Sequence, residues 1–175
     1  GPYISHGAKM KLSNLKHIWS KKSIRLANFA YFGHMWELYA FWVWIPIFLK
    51  EVFYHTYPSG DATFFFSLGT FLVFISGALG NALGGILADR IGRTKFNIIM
   101  LILSGSSSII IGFFLDNITL ALLTAIVWGT TIVPDSPQYS VMITELTDQD
   151  YVGTALTAQL SIGFGISLIS IQLLP

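Results

Sequence analysis

Five long apolar segments constrain the fold of this chain more than any other feature. They run over residues 26–49, 63–88, 96–115, 118–143 and 152–175. A transmembrane helix needs about 20 mostly apolar residues to cross roughly 30 Å of hydrocarbon. The strands of a membrane β-barrel are about half as long and alternate polar with apolar residues, which these segments do not. The sequence therefore predicts an all-α integral membrane protein with five transmembrane helices.

The composition agrees with a membrane protein and excludes several other classes. Charged residues make up 11% of the chain, against about 25% in soluble domains. The net charge of +1 is not that of a nucleic-acid-binding surface, and the lack of cysteine excludes thiolate metal sites and cysteine nucleophiles. Because the sequence has no phosphate-binding loop, nucleophile elbow or metal-spaced histidine cluster, we predict no enzyme, no cofactor and no metal site.

The basic residues predict the orientation of the helices in the membrane. Nine of the ten Lys and Arg residues precede the first segment or lie between the second and third, and only Lys50 lies on the opposite side. The positive-inside rule places the basic side in the cytoplasm, so we expect a multi-pass protein of the plasma membrane. Residues 1–25 are then a cytoplasmic linker. Its apolar residues recur at helical spacing among lysines, which fits either an amphipathic helix on the membrane surface or a flexible basic leader.

The turn between the second and third segments carries a recognisable pattern. Residues 85–95 read G-I-L-A-D-R-I-G-R-T-K. This resembles the signature loop of the major facilitator superfamily (MFS), G-x-L-a-D-r-x-G-r-[krt]-[kr], which joins the second and third helices of a half on the cytoplasmic side. The matching residues are Gly85, Leu87, Asp89, Arg90, Gly92, Arg93 and Lys95.

Three further stretches resemble one poorly characterised microbial branch of that superfamily. Residues 25–40, 134–140 and 151–156 are similar to the first, fourth and fifth helices of its second half. The family has twelve helices in two six-helix halves. The resemblance therefore implies that the chain is the C-terminal half from helix seven to helix eleven, an incomplete six-helix bundle. It also implies an N-terminal half on the same polypeptide or on a partner chain.

The resemblance gives the signature loop a role in gating. In the superfamily such loops hold the cytoplasmic side closed, which here would involve Asp89 and Arg93 with Glu145 at the end of the fourth segment. Gly85 is expected to let another helix approach closely, and Gly92 to permit a tight turn. The alternative is a loop that sets topology only, with surface ion pairs worth under about 1 kcal/mol each.

Polar side chains inside the apolar segments are the candidates for a transport pathway. A charge at the bilayer centre costs about 2.5–3.5 kcal/mol on insertion scales, so it needs a partner, water or a function. His34, Glu37, Asp135 and Gln138 all lie in the first and fourth segments. In the superfamily these two helices of each half line the cavity, so composition and resemblance select the same pair.

Spacing assigns these candidates to helix faces. His34 and Glu37 are three residues apart and share a face, so Glu37 is the best candidate for a proton-carrying carboxylate, with His34 as relay. Alternatively, His34 and Glu37 bind each other and only stabilise the bundle. Asp135 and Gln138 also share a face, where Asp135 contacts either solute or a basic residue of the missing half.

Other residues of the apolar segments carry further predictions. Trp36 and Tyr39 form a stripe adjacent to His34 and Glu37 and are also pathway candidates. Pro134 and Pro137 predict a kink between them. The small residues Gly77, Gly80 and Gly84 in the second segment, and Ser104, Ser108 and Gly112 in the third, predict close helix packing.

The resemblance implies a secondary active transporter that moves a small solute across the bilayer by alternating access. Coupling to protons is a hypothesis that rests on His34, Glu37 and Asp135. The alternative is a non-transporting membrane assembly or scaffold subunit derived from a transporter half. Uniport, symport and antiport are all compatible with the sequence.

Overall fold

A computed structural model describes residue 16, residues 19–57 and residues 62–173. The predicted all-α fold is confirmed, since no strand occurs among these residues. The helices are α1 (Lys22–Thr56), α2 (Ala62–Ile91), α3 (Arg93–Ile110), α4 (Ile118–Ile132), α5 (Ser136–Leu146) and α6 (Val152–Leu173). Short 3-10 helices extend α3 over Ile111–Phe114 and precede α6 over Gln149–Tyr151.

Four helical segments in the described part of the chain are long and apolar enough to cross a membrane. They are Ala62–Ile91, Arg93–Phe114, Ile118–Leu146 and Gln149–Leu173. The first predicted segment, residues 26–49, lies within the 35-residue helix α1. This helix is long enough to span but is not among the four. Its ionisable residues and its many Trp and Tyr side chains make it less apolar than the others.

The fourth apolar segment is divided into two helices. α4 ends at Ile132, residues 133–135 form a turn, and α5 begins at Ser136. Pro134 lies in the turn, because a proline there lacks the N–H that would continue the helix and its ring crowds the preceding turn. Pro137 lies in the first turn of α5, where the missing N–H would have no intrahelical partner. The break therefore lies around Pro134 rather than between the two prolines.

The chain divides into two compact units, with α1 contributing to both. The central unit comprises Glu37–Asp135. The terminal unit comprises the described residues up to Trp36 and from Ser136 onward.

The core of the central unit is built on one face of α1. Leu38, Phe41, Ile45 and Leu49 recur every three or four residues and are all buried. Val73 of α2, Ile111 at the start of the 3-10 extension of α3, and Ala125 and Ile132 of α4 complete the cluster.

Glycines let α2 and α4 pack with their backbones in contact. Gly77, Gly80 and Gly84 are all buried along one face of α2. A Cβ on Gly80 would collide with the carbonyl oxygen of Thr130. A Cβ on Gly129 of α4 would lie 2.7 Å from the carbonyl oxygen of Val73. The predicted small face of α2 is thus a helix–helix contact, as is typical of membrane bundles.

The terminal unit has its own apolar core. Ile24 and Ala27 of α1 pack with Ile143 of α5 and Ala155 of α6, and all four are buried. Further along α6, a Cβ on Gly163 would lie 2.6 Å from Cε1 of Tyr31. Helix α6 therefore packs closely against the first part of α1.

Large apolar side chains dominate the outer surface of the spanning helices. Phe113 and Ile109 at the end of α3 are 81% and 71% exposed, and Leu168 of α6 is 67% exposed. A soluble monomer rarely exposes extended apolar patches. This surface is suited to lipid, in agreement with a multi-pass membrane protein.

Candidate functional site

The carboxylate of Glu37 connects three helices of the central unit. The indole Nε1–H of Trp128 on α4 donates a hydrogen bond to Oε1 of Glu37, with 3.0 Å between the heavy atoms. The hydroxyl of Ser104 on α3 donates to Oε2 over 3.3 Å. Both bonds are partly buried. A carboxylate accepts such bonds more strongly when charged than when protonated, so the protonation of Glu37 affects contacts to two other helices.

Neither partner of Glu37 was singled out as functional in the sequence. Trp128 fits the pattern of a packing residue, and its ring does pack against Phe41, with centroids 4.8 Å apart. Ser104 belongs to the predicted small face of α3, but it is 2% exposed and its hydroxyl contacts the carboxylate. The sequence signal that could have found it is a hydroxyl-bearing residue repeated along an apolar helix.

His34 lies in an aromatic environment in the terminal unit. Its side chain is 1% exposed. The ring centroid of Tyr31 lies 6.2 Å from that of His34, and the centroid of Tyr139 on α5 lies 5.7 Å away. Gln138, next to Tyr139 in the sequence, is also buried. Two tyrosine rings therefore lie next to the His34 ring, and Tyr139 is a neighbour that the sequence did not single out.

The remaining predicted pathway residues lie in different surroundings. Asp135 is buried in the central unit, at the end of the turn that separates α4 from α5. Tyr39 is half-buried, with its ring 5.2 Å from that of Trp42 in an edge-to-face arrangement. Trp36 is 37% exposed.

The signature loop forms a short corner between α2 and α3. Gly92 has a φ of 90°, a backbone conformation that favours glycine, in agreement with the predicted tight turn. Asp89 and Arg93 form an ion pair of 3.2 Å one helical turn apart. Leu87, Arg90 and Lys95 are exposed along the same corner. Glu145, the third residue of the predicted latch, is exposed near the end of α5 in the terminal unit.

The close helix approach expected at Gly85 occurs instead at its neighbour Gly84. A Cβ on Gly84 would lie 2.6 Å from Cβ of Pro134 and 3.1 Å from Cζ of Phe96. A Cβ on Gly85 would meet no atom of the described chain within 4 Å. The two adjacent residues point in directions about 100° apart around the helix, so only one of them faces the neighbouring helices.

Replacement of Gly92 by alanine should destabilise this corner. A non-glycine residue held in this sparsely populated backbone region costs of order 1–3 kcal/mol, and no described atom lies near enough to Gly92 for a Cβ to clash. The expected loss is therefore a backbone effect, measured as a lower apparent melting temperature of the purified protein. Gly105→Ala in the middle of α3 is the matched control, since a Cβ there also meets nothing within 4 Å. If Gly92→Ala melted at the same temperature as Gly105→Ala, the positive φ of residue 92 would be contradicted.

Comparison with known proteins identifies a family. A family model described as Major Facilitator Superfamily matches residues 4–171. No curated protein matches the chain.

Proposed function

The chain belongs to the major facilitator superfamily of membrane transporters, and from this premise we propose that it is a secondary active transporter that moves a small solute by alternating access. The match over residues 4–171 supports this proposal. The four helical segments able to cross a membrane also support it. Members of this family are in general transporters rather than enzymes.

Proton coupling through Glu37 is the part of the proposal that the geometry supports best. The carboxylate lies on α1 and accepts hydrogen bonds from α3 and α4. When a proton binds, the negative charge disappears and both acceptor bonds weaken. The proton would thereby loosen contacts among three helices of one unit, which links protonation to helix movement. Buried His34, beside Tyr31 and Tyr139, is the proposed relay.

The signature loop is proposed as the cytoplasmic latch. The ion pair between Asp89 and Arg93 supports this role, because it holds the guanidinium at the α2–α3 corner. Glu145 is proposed as the carboxylate that completes the latch when the cytoplasmic side is closed. Asp135 and Gln138 are proposed as solute contacts.

We further propose that the protein lies in the plasma membrane, with its N-terminal segment in the cytoplasm. The concentration of lysines before α1 supports that orientation. An N-terminal transporter half, on the same polypeptide or a partner, would supply the opposite wall of the pathway.

The second candidate function is a non-transporting assembly subunit, and the hydrogen bonds of Glu37 favour it as well. A carboxylate with two donors on neighbouring helices also stabilises a bundle without carrying protons. In that case Glu37 is a structural residue, and its replacement would change the stability of the bundle rather than any proton flux.

The test is proton flux coupled to solute uptake in proteoliposomes. A panel of organic acids, amines and sugars is applied under an inward proton gradient, and a trapped pH dye reports the solutes that carry protons. With such a solute, Glu37→Gln should abolish proton-driven uptake but retain counterflow exchange. Loss of an essential proton carrier lowers the driven rate by a factor of about 10² or more.

The matched control is Glu51→Gln. Glu51 lies on the same helix and is exposed, so its replacement should leave driven uptake unchanged. Driven uptake that survives in Glu37→Gln would show that Glu37 is not the proton carrier. A wild-type protein that moves no solute of the panel and no protons would favour the assembly subunit.

A further inference from the structure

A cavity opens in the central unit between α1, α2 and α4. Its volume is about 610 Å³, within the 300–1,000 Å³ range of pockets for small organic molecules. Aromatic rings of Phe41, Trp42 and Phe74 form much of its wall. The small residues Gly77 and Ala78 leave the space open, and Asn81 contributes a carboxamide.

The chemistry of the wall is apolar and uncharged. Among the described residues that line the cavity, none is ionisable, and the polar side-chain groups are the Asn81 carboxamide and the Trp42 indole N–H. The ionisable residues singled out in the sequence, His34, Glu37 and Asp135, do not line it. A charged ligand would lose its hydration here without gaining a counter-charge, which is strongly unfavourable.

The open space depends on side-chain size along α2. Gly77 is buried against the backbone of Gly129, so the floor of the cavity is the α2–α4 contact itself. Ala78, the next residue, is exposed and faces the space. A large side chain at Ala78 would fill the cavity without disturbing the helix contact.

We propose that this cavity binds a neutral, ring-bearing, largely apolar organic molecule whose single hydrogen-bonding group pairs with Asn81. Flat rings gain from stacked and edge-to-face contacts with the three aromatic walls. The carboxamide offers both a donor and an acceptor to one polar group. A lipid acyl chain would use neither the rings nor the amide. The inference that such a molecule is the transported substrate rests on the proposed transport function. The inference that it binds in this cavity does not.

The absence of cysteine in the chain allows a site-specific test with single thiols. Ala78→Cys places a thiol on the cavity wall. Ala82→Cys, one turn along α2, is exposed but does not line the cavity. The probe is N-phenyl-1-naphthylamine, which is neutral, has fused rings and carries one N–H. Alkylation by N-ethylmaleimide is followed by intact mass in lipid nanodiscs, with and without the probe.

At a probe concentration about ten times its Kd, alkylation at Ala78→Cys should slow roughly tenfold, because only the unoccupied fraction reacts. Alkylation at Ala82→Cys should not change. The sulfonated analogue 1-anilinonaphthalene-8-sulfonate should protect poorly, since it adds a charge to the same rings. Asn81→Leu should raise the half-protective probe concentration about five- to tenfold, as expected for the loss of one hydrogen bond.

Four outcomes would overturn the inference. The first two are no protection at Ala78→Cys and equal protection at both cysteines, which would indicate partition of the probe into lipid. The third is protection by the sulfonate equal to that by the probe. The fourth is protection by hexadecane as strong as that by the probe. The last would identify an acyl chain as the occupant. Because the assay measures binding alone, its failure is distinct from a failure of proton-coupled uptake in the Glu37 experiment.

Discussion

Gly80→Ala should lower the stability of this protein substantially. The added Cβ would meet the carbonyl oxygen of Thr130 on α4, and a backbone atom cannot turn aside as the end of a side chain can. The two helices must separate along a contact that also includes Gly77 and Gly129. Overpacking of this kind costs about 1–3 kcal/mol, and the higher helix propensity of alanine offsets at most about 1 kcal/mol.

Gly85→Ala is the matched control for that substitution. It makes the same chemical change on the same helix, but the new Cβ meets no described atom within 4 Å. Its apparent melting temperature in detergent should equal or slightly exceed that of the wild type, whereas Gly80→Ala should melt several degrees lower. Similar melting of the two variants would contradict the close approach of α2 and α4.

Trp128→Phe should also destabilise the protein, through the loss of the indole donor to Glu37. A hydrogen bond to a charged group is worth roughly 1.5–3 kcal/mol, and the substitution removes the indole donor from a partly buried carboxylate. In a Glu37→Met background the same substitution should cost much less, because the acceptor is gone. The difference between the two backgrounds gives the coupling energy of the pair.

Trp44→Phe is the control for the loss of an indole N–H. The Nε1 atom of Trp44 is buried and has no hydrogen-bond partner in the described part of the chain. Its replacement therefore removes a similar ring area without removing a hydrogen bond. Denaturation in mixed detergent micelles is measured for the wild type, Trp128→Phe, Glu37→Met, the double variant and Trp44→Phe. A cost of Trp128→Phe that is the same with and without Glu37 would show that only ring packing matters.

The features that the sequence predicts well depend on local patterns. The length of the apolar segments requires helices, because lipid offers no partner for free backbone groups. The positive φ of Gly92 follows from a glycine placed between two helices. The break near Pro134 follows from a residue that cannot continue a helix.

The details of the candidate site depend on the rotation of each helix about its axis, which a single sequence does not specify. Gly84 and Gly85 are equally small, and only the packing of α2 against Pro134 distinguishes them. The partners of Glu37 are 67 and 91 residues away in the sequence. Asn81 was not predicted as a site residue because a single amide on an apolar helix has no distinguishing pattern. The roles of His34, Glu37 and Asp135 in transport stay predictions.

The corner at Gly92 has a mechanical consequence for any motion of the bundle. Its N–H donates to the carbonyl of Ala88 over 2.9 Å, and its carbonyl accepts from the N–H of Phe96 over 3.0 Å. One residue thus closes the last turn of α2 and opens the first turn of α3. The two helices therefore share a continuous run of backbone hydrogen bonds at this end, and a tilt of α2 would be transmitted directly to the start of α3.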